Sequence, residues 1–525
     1  MKTNDKCTTK SILFHWHSFK FKLIFEGIII GIITGLVIVL YRYIIEILLK
    51  YVFHIYSIIE KNPVLILPWI IFLILIGYLV GLLIKFLPNI RGSGIPQVEG
   101  ILLGKLDMNW LKILLGKFFG GILSIGSGLS LGREGPSIQL GGAIGQGFSR
   151  IFKRIKIEEK YLITSGASAG LAAAFNAPLS GALFALEEVH KNFSPLILLS
   201  ALSAALSADF VSSSFFGLKP VLSFNGLHIL PLKYYIYIIP LGIIIGISGV
   251  VFNKVLLKTQ TLYQKQTWLR KEFKIIIPML FSVIIGIFLP QALGGGNGLI
   301  SSLTANKFSL ITLLIIVIVK FIFTMACYGS GAPGGIFLPL LAIGALVGNI
   351  YGVFVVDIFH FNNAYINNFI IFAMAGYFTA VVRAPITGTI LITELTGSLG
   401  HLLSLSVMSL IAYIIADILE CKPIYESLFE NFLHNQDKKS PTSNKKGKSI
   451  LEFVICMGSI LDSKQVKEIN WPKDCLLVAV KRGENEIIPT GDTIIFSGDY
   501  LIVLTNERSV PKINDIISNM AGNNI

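Results

Sequence analysis

Apolar residues run in blocks too long and too clean for a water-soluble core, and glycine and proline keep interrupting them. Val64 to Ile84 is a run of 21 residues without a charge, enough helix to cross a hydrocarbon layer about 30 Å thick. Further apolar blocks lie at 23–49, 238–252, 275–290, 308–326, 367–382 and 402–419. Several are short or contain Gly or Pro, which predicts tilted or discontinuous helices whose freed backbone groups face protein or a wet path rather than lipid. The pattern changes near residue 434. Residues 434–448 are polar and basic, with Pro, Ser and Gly, and read as a linker. Beyond them, short apolar runs predict strands at 450–457, 475–480, 486–488 and 500–504, a short helix at 463–469 and a closing helix at 510–520. The expected architecture is an all-α polytopic membrane domain over 23–433, preceded by a segment 1–22 and followed by a linker and a small α+β domain over 449–525.

The blocks repeat. Lys117-Phe118, Gly126-Ser127-Gly128, Pro136, Gly141 and Gly145 recur as Lys320-Phe321, Gly329-Ser330-Gly331, Pro339, Gly344 and Gly348, each 203 positions on (117 to 320, 136 to 339). Asn176-Ala177-Pro178 with Glu187 recurs as Arg383-Ala384-Pro385 with Glu394, now 207 positions on (178 to 385). Duplicated halves with Gly/Pro-broken segments at matching places point to a transporter with its site at the repeat interface. Small residues that let helices pack closely would explain the glycines alone, but not the shared Lys and Pro. The repeat by itself leaves parallel and inverted arrangements open.

Composition agrees with a membrane protein. Of 525 residues 53% are hydrophobic and 14% charged, where a soluble domain carries about 25% charged residues. The net charge of +14 lacks a basic stripe interleaved with aromatics, so nucleic-acid binding is not expected. It reads instead as topology. Lys2, Lys6, Lys10, Lys20 and Lys22 precede the first span, and Lys438, Lys439, Lys445, Lys446 and Lys448 follow the last, which places both termini in the cytoplasm. The first apolar run is too long for a cleavable signal. Cys7, Cys327, Cys421, Cys456 and Cys475 show no metal spacing, so neither a metal nor another cofactor is expected.

Chemistry concentrates in a few polar positions. Glu134, in Gly132-Arg133-Glu134-Gly135-Pro136, is a carboxylate in membrane-grade surroundings, which costs about 2.5–3.5 kcal/mol at a helix centre and marks a functional site. Glycines beside it free backbone N–H groups to face an anion at a helix start. A carboxylate in such a seat competes with the anion and leaves when protonated. Ser93, in Gly92-Ser93-Gly94-Ile95-Pro96, offers a hydroxyl donor on a tight turn, or else a helix N-cap. Tyr425, in Lys422-Pro423-Ile424-Tyr425, offers a second neutral donor, or else an interfacial belt residue. Neutral donors suit conduction, because a bare cation would hold the ion too tightly. Glu187 has the repeat partner Glu394, which suggests a shared structural role. Glu188 has none, since Leu395 stands at its matching position; it is a candidate proton port, or else a solvated helix-end charge. Lys117 and Lys320 sit inside apolar blocks and read as long-range electrostatic or snorkelling residues.

With Gly335-Ile336-Phe337-Leu338-Pro339 these motifs, in this order over roughly residues 20–430, resemble the CLC family of chloride channels and chloride/proton antiporters. The resemblance implies an inverted repeat, a homodimer with one pore per subunit, and no enzymatic activity. It implies chloride on the Ser93 and Tyr425 hydroxyls and the Ile336 and Phe337 amides, with Gly92, Gly94, Arg133, Gly135, Gly335 and Lys117 lining the pore or shaping its field. It makes Glu134 the gate and external proton acceptor and Glu188 the internal proton-transfer residue. Ser at position 93 resembles the chloride-type members; nitrate-preferring ones tend to have Pro there. The runner-up is a passive chloride channel gated by voltage or pH. The tail resembles TrkA-type C-terminal modules through Glu468-Ile469 and Ile488-Pro489-Thr490-Gly491-Asp492, which implies regulation and a small-molecule, nucleotide-like ligand. That tail alone prompts a potassium-transporter reading, but the core lacks a Thr-Val-Gly-Tyr-Gly filter. An intramembrane enzyme using Glu134 as base lacks any accompanying His/Asp/Ser or zinc grouping.

Overall fold

A computed structural model describes residues 9–437 and 448–522, apart from 192, 219, 223, 225, 226, 268, 306, 307, 457, 483, 484, 507 and 508. Lys2, Lys6, Cys7, Lys438, Lys439, Lys445 and Lys446 fall outside these residues. The chain forms two compact units, 1–433 and 434–525.

The first half of the larger unit holds α1 (Thr9–Lys61), α2 (Ile66–Phe86), α3 (Ile95–Leu102), α4 (Trp110–Gly126), α5 (Glu134–Ile151), α6 (Lys156–Phe175), α7 (Pro178–Phe184) and α8 (Pro195–Phe216). The second holds α9 (Ile238–Lys265), α10 (Ile276–Phe288), α11 (Asn297–Ala305), α12 (Leu310–Gly329), α13 (Phe337–Phe359), α14 (Ile366–Val382), α15 (Pro385–Thr396) and α16 (Leu402–Ile418). Each helix of one half has its counterpart in the other. A last helix, α17 (Ile424–Asp437), stands outside the repeat. Eight helices among the described residues are long and apolar enough to cross a membrane, so this is a multi-pass membrane protein. Large exposed apolar side chains such as Phe210, Leu67 and Ile311 suit a protein set in a membrane.

Helix extends across two expected boundaries. α1 runs unbroken from Thr9, with its membrane-capable stretch over Lys20–Lys61, and α17 carries helix through 434–437 into the expected linker. α8 and α13 were not among the apolar blocks. α8 is diluted by Ser and Ala and α13 by Gly, yet both pack helix on helix in this unit.

The halves meet across reciprocal bonds that express a local twofold axis. Gly132 and Gly335, 203 positions apart, exchange both backbone hydrogen bonds at 2.7 Å as an antiparallel bridge. Farther out, each half caps a helix of the other. Glu187 accepts from the Thr387 amide (2.8 Å) and hydroxyl (2.6 Å) at the start of α15. Glu394 accepts from the Ser180 amide (2.8 Å), the Ser180 hydroxyl (2.5 Å) and the Leu179 amide (3.0 Å) at the start of α7. This is the shared structural role that the repeat suggested. A carboxylate at a helix start satisfies orphan donors and complements the dipole. Glu394→Ala is expected to cost about 1–2 kcal/mol of stability, the scale of a lost cap, read as a lower melting temperature of the purified protein.

The smaller unit is a four-stranded antiparallel sheet, β1 (Lys448–Val454), β2 (Cys475–Arg482), β3 (Asn485–Ile487) and β4 (Tyr500–Asn506), in the order β1-β4-β2-β3, closed by α18 (Val510–Ala521). Leu501 and Val503 alternate inward from β4 and meet Ile513 and Ile517, one turn apart on α18. The helix expected at 463–469 is only a 3-10 turn at Val466–Glu468: Gln465 and Glu468 cap its start, but Ile469 is already extended (φ −88°, ψ 130°) and ends it. Asp499 is buried beneath the sheet. Burial alone would raise its carboxyl, but two hydrogen bonds from Arg482 (2.8 Å each) and one from the Phe496 amide hold it below the usual carboxylate range. A depressed folded value stabilises the fold above the unfolded pKa and is lost as pH falls through the folded one. Backbone amides of β4 in the intact protein should therefore exchange hydrogen faster below about pH 4, and Asp499→Asn should remove that acid sensitivity.

Candidate functional site

Four helix starts converge at the centre of the larger unit. The Ser93 turn enters α3 through two left-handed glycines, Gly92 at φ +66° and Gly94 at φ +96°, a conformation that side chains resist. A Cβ at Gly94 would strike the Gln139 side chain of α5, and one at Gly135 would lie 2.8 Å from the Ser93 Cβ, so the starts of α3 and α5 touch. Gly335 stands just as close to Gly135, bringing in the start of α13. Phe337 at that start packs on Phe184 (6.0 Å between centroids), and Phe184 meets Tyr425 of α17 edge-on (6.3 Å). Helices beginning in the middle of the protein leave their first N–H groups without intrahelical acceptors, and their dipoles sum to a positive region.

The candidate donors sit in that region. Ser93 is buried; its Oγ accepts from the Ile95 amide at 3.4 Å and lies 3.5 Å from the Tyr328 hydroxyl, which leaves its own proton free to point at an ion. Gly94, not Ser93, is the N-cap of α3. Tyr425 is fully buried and its hydroxyl has no partner among the described residues, which excludes a belt residue at the membrane surface. Ile336 and Phe337 stand at the start of α13 as expected.

Glu134 is the first residue of α5 and completely buried. Neither carboxylate oxygen makes a hydrogen bond of good geometry, although the amides of Glu134 itself and Leu338 approach it and Arg133 and Arg42 act on it through space. Arg133 bonds to Glu46 (2.7 Å), which also takes Arg42 (2.9 Å). Glu188 lies on a π-helical turn, Ala185–His190, that continues α7, a distortion common at functional sites. It is buried with Oε1 unpartnered, so it is no solvated helix end. Around it, Lys191 bonds Glu99 at 2.7 Å and lies 3.9 Å from Glu426. Tyr425 is within electrostatic reach of both Glu134 and Glu188.

The lysines do not snorkel. Lys117 is fully buried, and its Nζ donates to the carbonyls of Ile90 (2.9 Å) and Gly92 (2.6 Å); Lys320 does the same to Ala292 (3.0 Å) and Gly294 (2.6 Å). Each is a clamp on the glycine turn of its own half. Lys117→Met should leave the Ile90 carbonyl unpaired at about 1–3 kcal/mol and the Gly92 carbonyl with only the Gly334 amide (3.0 Å), seen as a lower melting temperature and a loosened Ser93 turn. Tyr328 was missed as a site residue. Its signal was available: a lone tyrosine in an apolar helix, facing Ile125 at the matching repeat position.

The sequence profile described as voltage gated chloride channel matches residues 76–417. The chain belongs to that family, the CLC proteins. Residues 450–518 match the TrkA-C domain. The CLC relatives include the H(+)/Cl(-) exchange transporter ClcA of Salmonella paratyphi B, 37% identical over 71% of this chain and 80% of the relative. ClcA of Salmonella arizonae is 36% identical over the same shares. Among solved structures, a slow cyanobacterial Cl-/H+ antiporter superposes with a TM-score of 0.76 at 32% identity, covering 79% of this chain and 99% of the other. A CLC-type fluoride/proton antiporter does so at 0.63 and 25%, covering 75% and 95%. The all-α CLC fold with its inverted repeat, and the small C-terminal α+β domain, are thus those of the protein.

Proposed function

We propose that this CLC protein exchanges chloride for protons, with Glu134 as gate and outer proton acceptor and Glu188 as inner proton-transfer residue. The observation that carries this reading is the pair of buried, incompletely bonded carboxylates, both within electrostatic reach of Tyr425. A passive pore needs at most one of them. Chloride rests on the Ser93 and Tyr425 hydroxyls and on the Ile336 and Phe337 amides, within the field of the converging helix starts. Two unit charges 4 Å apart repel by about 4 kcal/mol at an effective dielectric near 20, so chloride and ionised Glu134 exclude each other. Ion occupancy and protonation are thereby coupled, and the coupling is reciprocal. The exchangers among the relatives support the same activity here.

The test is simultaneous recording of chloride and proton fluxes from the purified protein in liposomes under a chloride gradient. Proton uptake against its own gradient is expected; chloride movement without protons would leave the passive channel. The reading also places both termini in the cytoplasm of a bacterial cell membrane and pairs the chain as a homodimer. The TrkA-C domain is the regulatory module, and calorimetry with a nucleotide panel tests its ligand.

A further inference from the structure

The Ser93 turn has a counterpart that the central site does not use. Gly92-Ser93-Gly94 matches Gly294-Gly295-Gly296, with φ of +66° and +96° in the first turn and +66° and +122° at the same two places in the second. Lys117 clamps one and Lys320 the other, at nearly equal distances. Both turns feed a helix, α3 in one half and α11 in the other. A twofold axis that inverts the halves carries the second turn to the opposite side of the centre. There it lines a cavity of about 570 Å3, whose walls also include Arg133, Lys50 and Glu46.

Its chemistry is that of an anion site. The first amides of α11 have no intrahelical acceptor, and Gly295, where the first turn has the Ser93 hydroxyl, brings no side chain to the lining; Leu338 packs where one would stand. Arg133, 5% exposed, lines the cavity, and its buried Nε has no hydrogen-bond partner among the described residues. Glu46 is the one acid in the lining, and Arg42 and Arg133 already neutralise it, so Lys50 leaves the cavity positive. Asn297 has its Oδ1 buried and unpartnered; turning the amide over presents Nδ2 instead. Leu338 forms part of the wall and also borders the Glu134 carboxylate at Gly132, so the cavity stands next to the gate.

We propose that this cavity is a second anion site, holding a partly hydrated halide between the start of α11 and Arg133, ready to take the seat that Glu134 vacates. The cavity is far larger than a bare halide, so the ion keeps water and exchanges quickly, as a feeding site must. The site's role rests on the chloride-transport reading; its existence does not. Bromide-soaked crystals of the full-length protein should show anomalous density between Arg133 and Asn297, weaker in Asn297→Asp. In liposomes with oriented protein, Asn297→Asp and the rim variant Lys50→Gln should each raise the chloride concentration for half-maximal flux several-fold from the Arg133 side and leave it unchanged from the other. No density there at saturating bromide overturns the proposal. Density with unchanged half-saturation on both sides means an adventitious ion only, and overturns it as well. If the wild type moves no chloride at all, the transport reading fails, while the bromide density still decides the site.

Discussion

Glu134→Gln is expected to abolish proton movement while chloride continues to cross, at a rate that no longer responds to pH. Gln keeps the shape of the protonated acid, so the seat at the start of α5 stays open to chloride at every pH. The wild-type side chain cannot stay ionised there beside a chloride, because their repulsion of about 4 kcal/mol shifts occupancy close to a thousandfold. Its own compensation is electrostatic and indirect: the α5 dipole, Arg133 and Arg42, with neither oxygen in a well-formed hydrogen bond. Such a group can leave its seat cheaply once neutral. Paired recordings of the two ions in liposomes check the outcome. Persistent proton transport in this variant, or an unchanged pH response of chloride flux, would remove Glu134 from the mechanism.

Glu188→Gln should also stop protons, but leave chloride flux with its pH dependence, because the gate at Glu134 still titrates. The two variants are therefore separable by one pH series. The neighbouring carboxylate is a built-in contrast: Glu187 is held by the Ile386 and Thr387 amides and the Thr387 hydroxyl, whereas Glu188 turns inward with an oxygen free. A transported proton needs an acid that can gain and lose it without dismantling a helix cap. Glu99, Lys191 and Glu426 are the charged groups around Glu188, and they connect it to the side where Lys191 is partly exposed. If Glu188→Gln still drove protons against their gradient, the inner port would have to lie elsewhere.

Much of this was legible in the chain. Membrane-grade composition, broken apolar blocks, the offsets of 203 and 207 and the four ordered motifs led to a duplicated CLC transporter, because lipid permits few backbones and the duplication preserved Lys, Pro and Gly at matching places. The lack of a repeat partner singled out Glu188. The same comparison could have raised Tyr328. Repeat and hydropathy alone did not show that Glu187 and Glu394 cap each other's half, that Lys117 and Lys320 clamp glycine turns instead of snorkelling, or that helix runs on through 9–22 and 434–437. The caps depend on groups some 200 residues apart meeting at hydrogen-bond distance, and the clamps on lysines that reach back 25–28 residues to a turn. A linear pattern reports which residues prefer burial; which buried lone pair each one finds is settled only when the inverted halves close on each other.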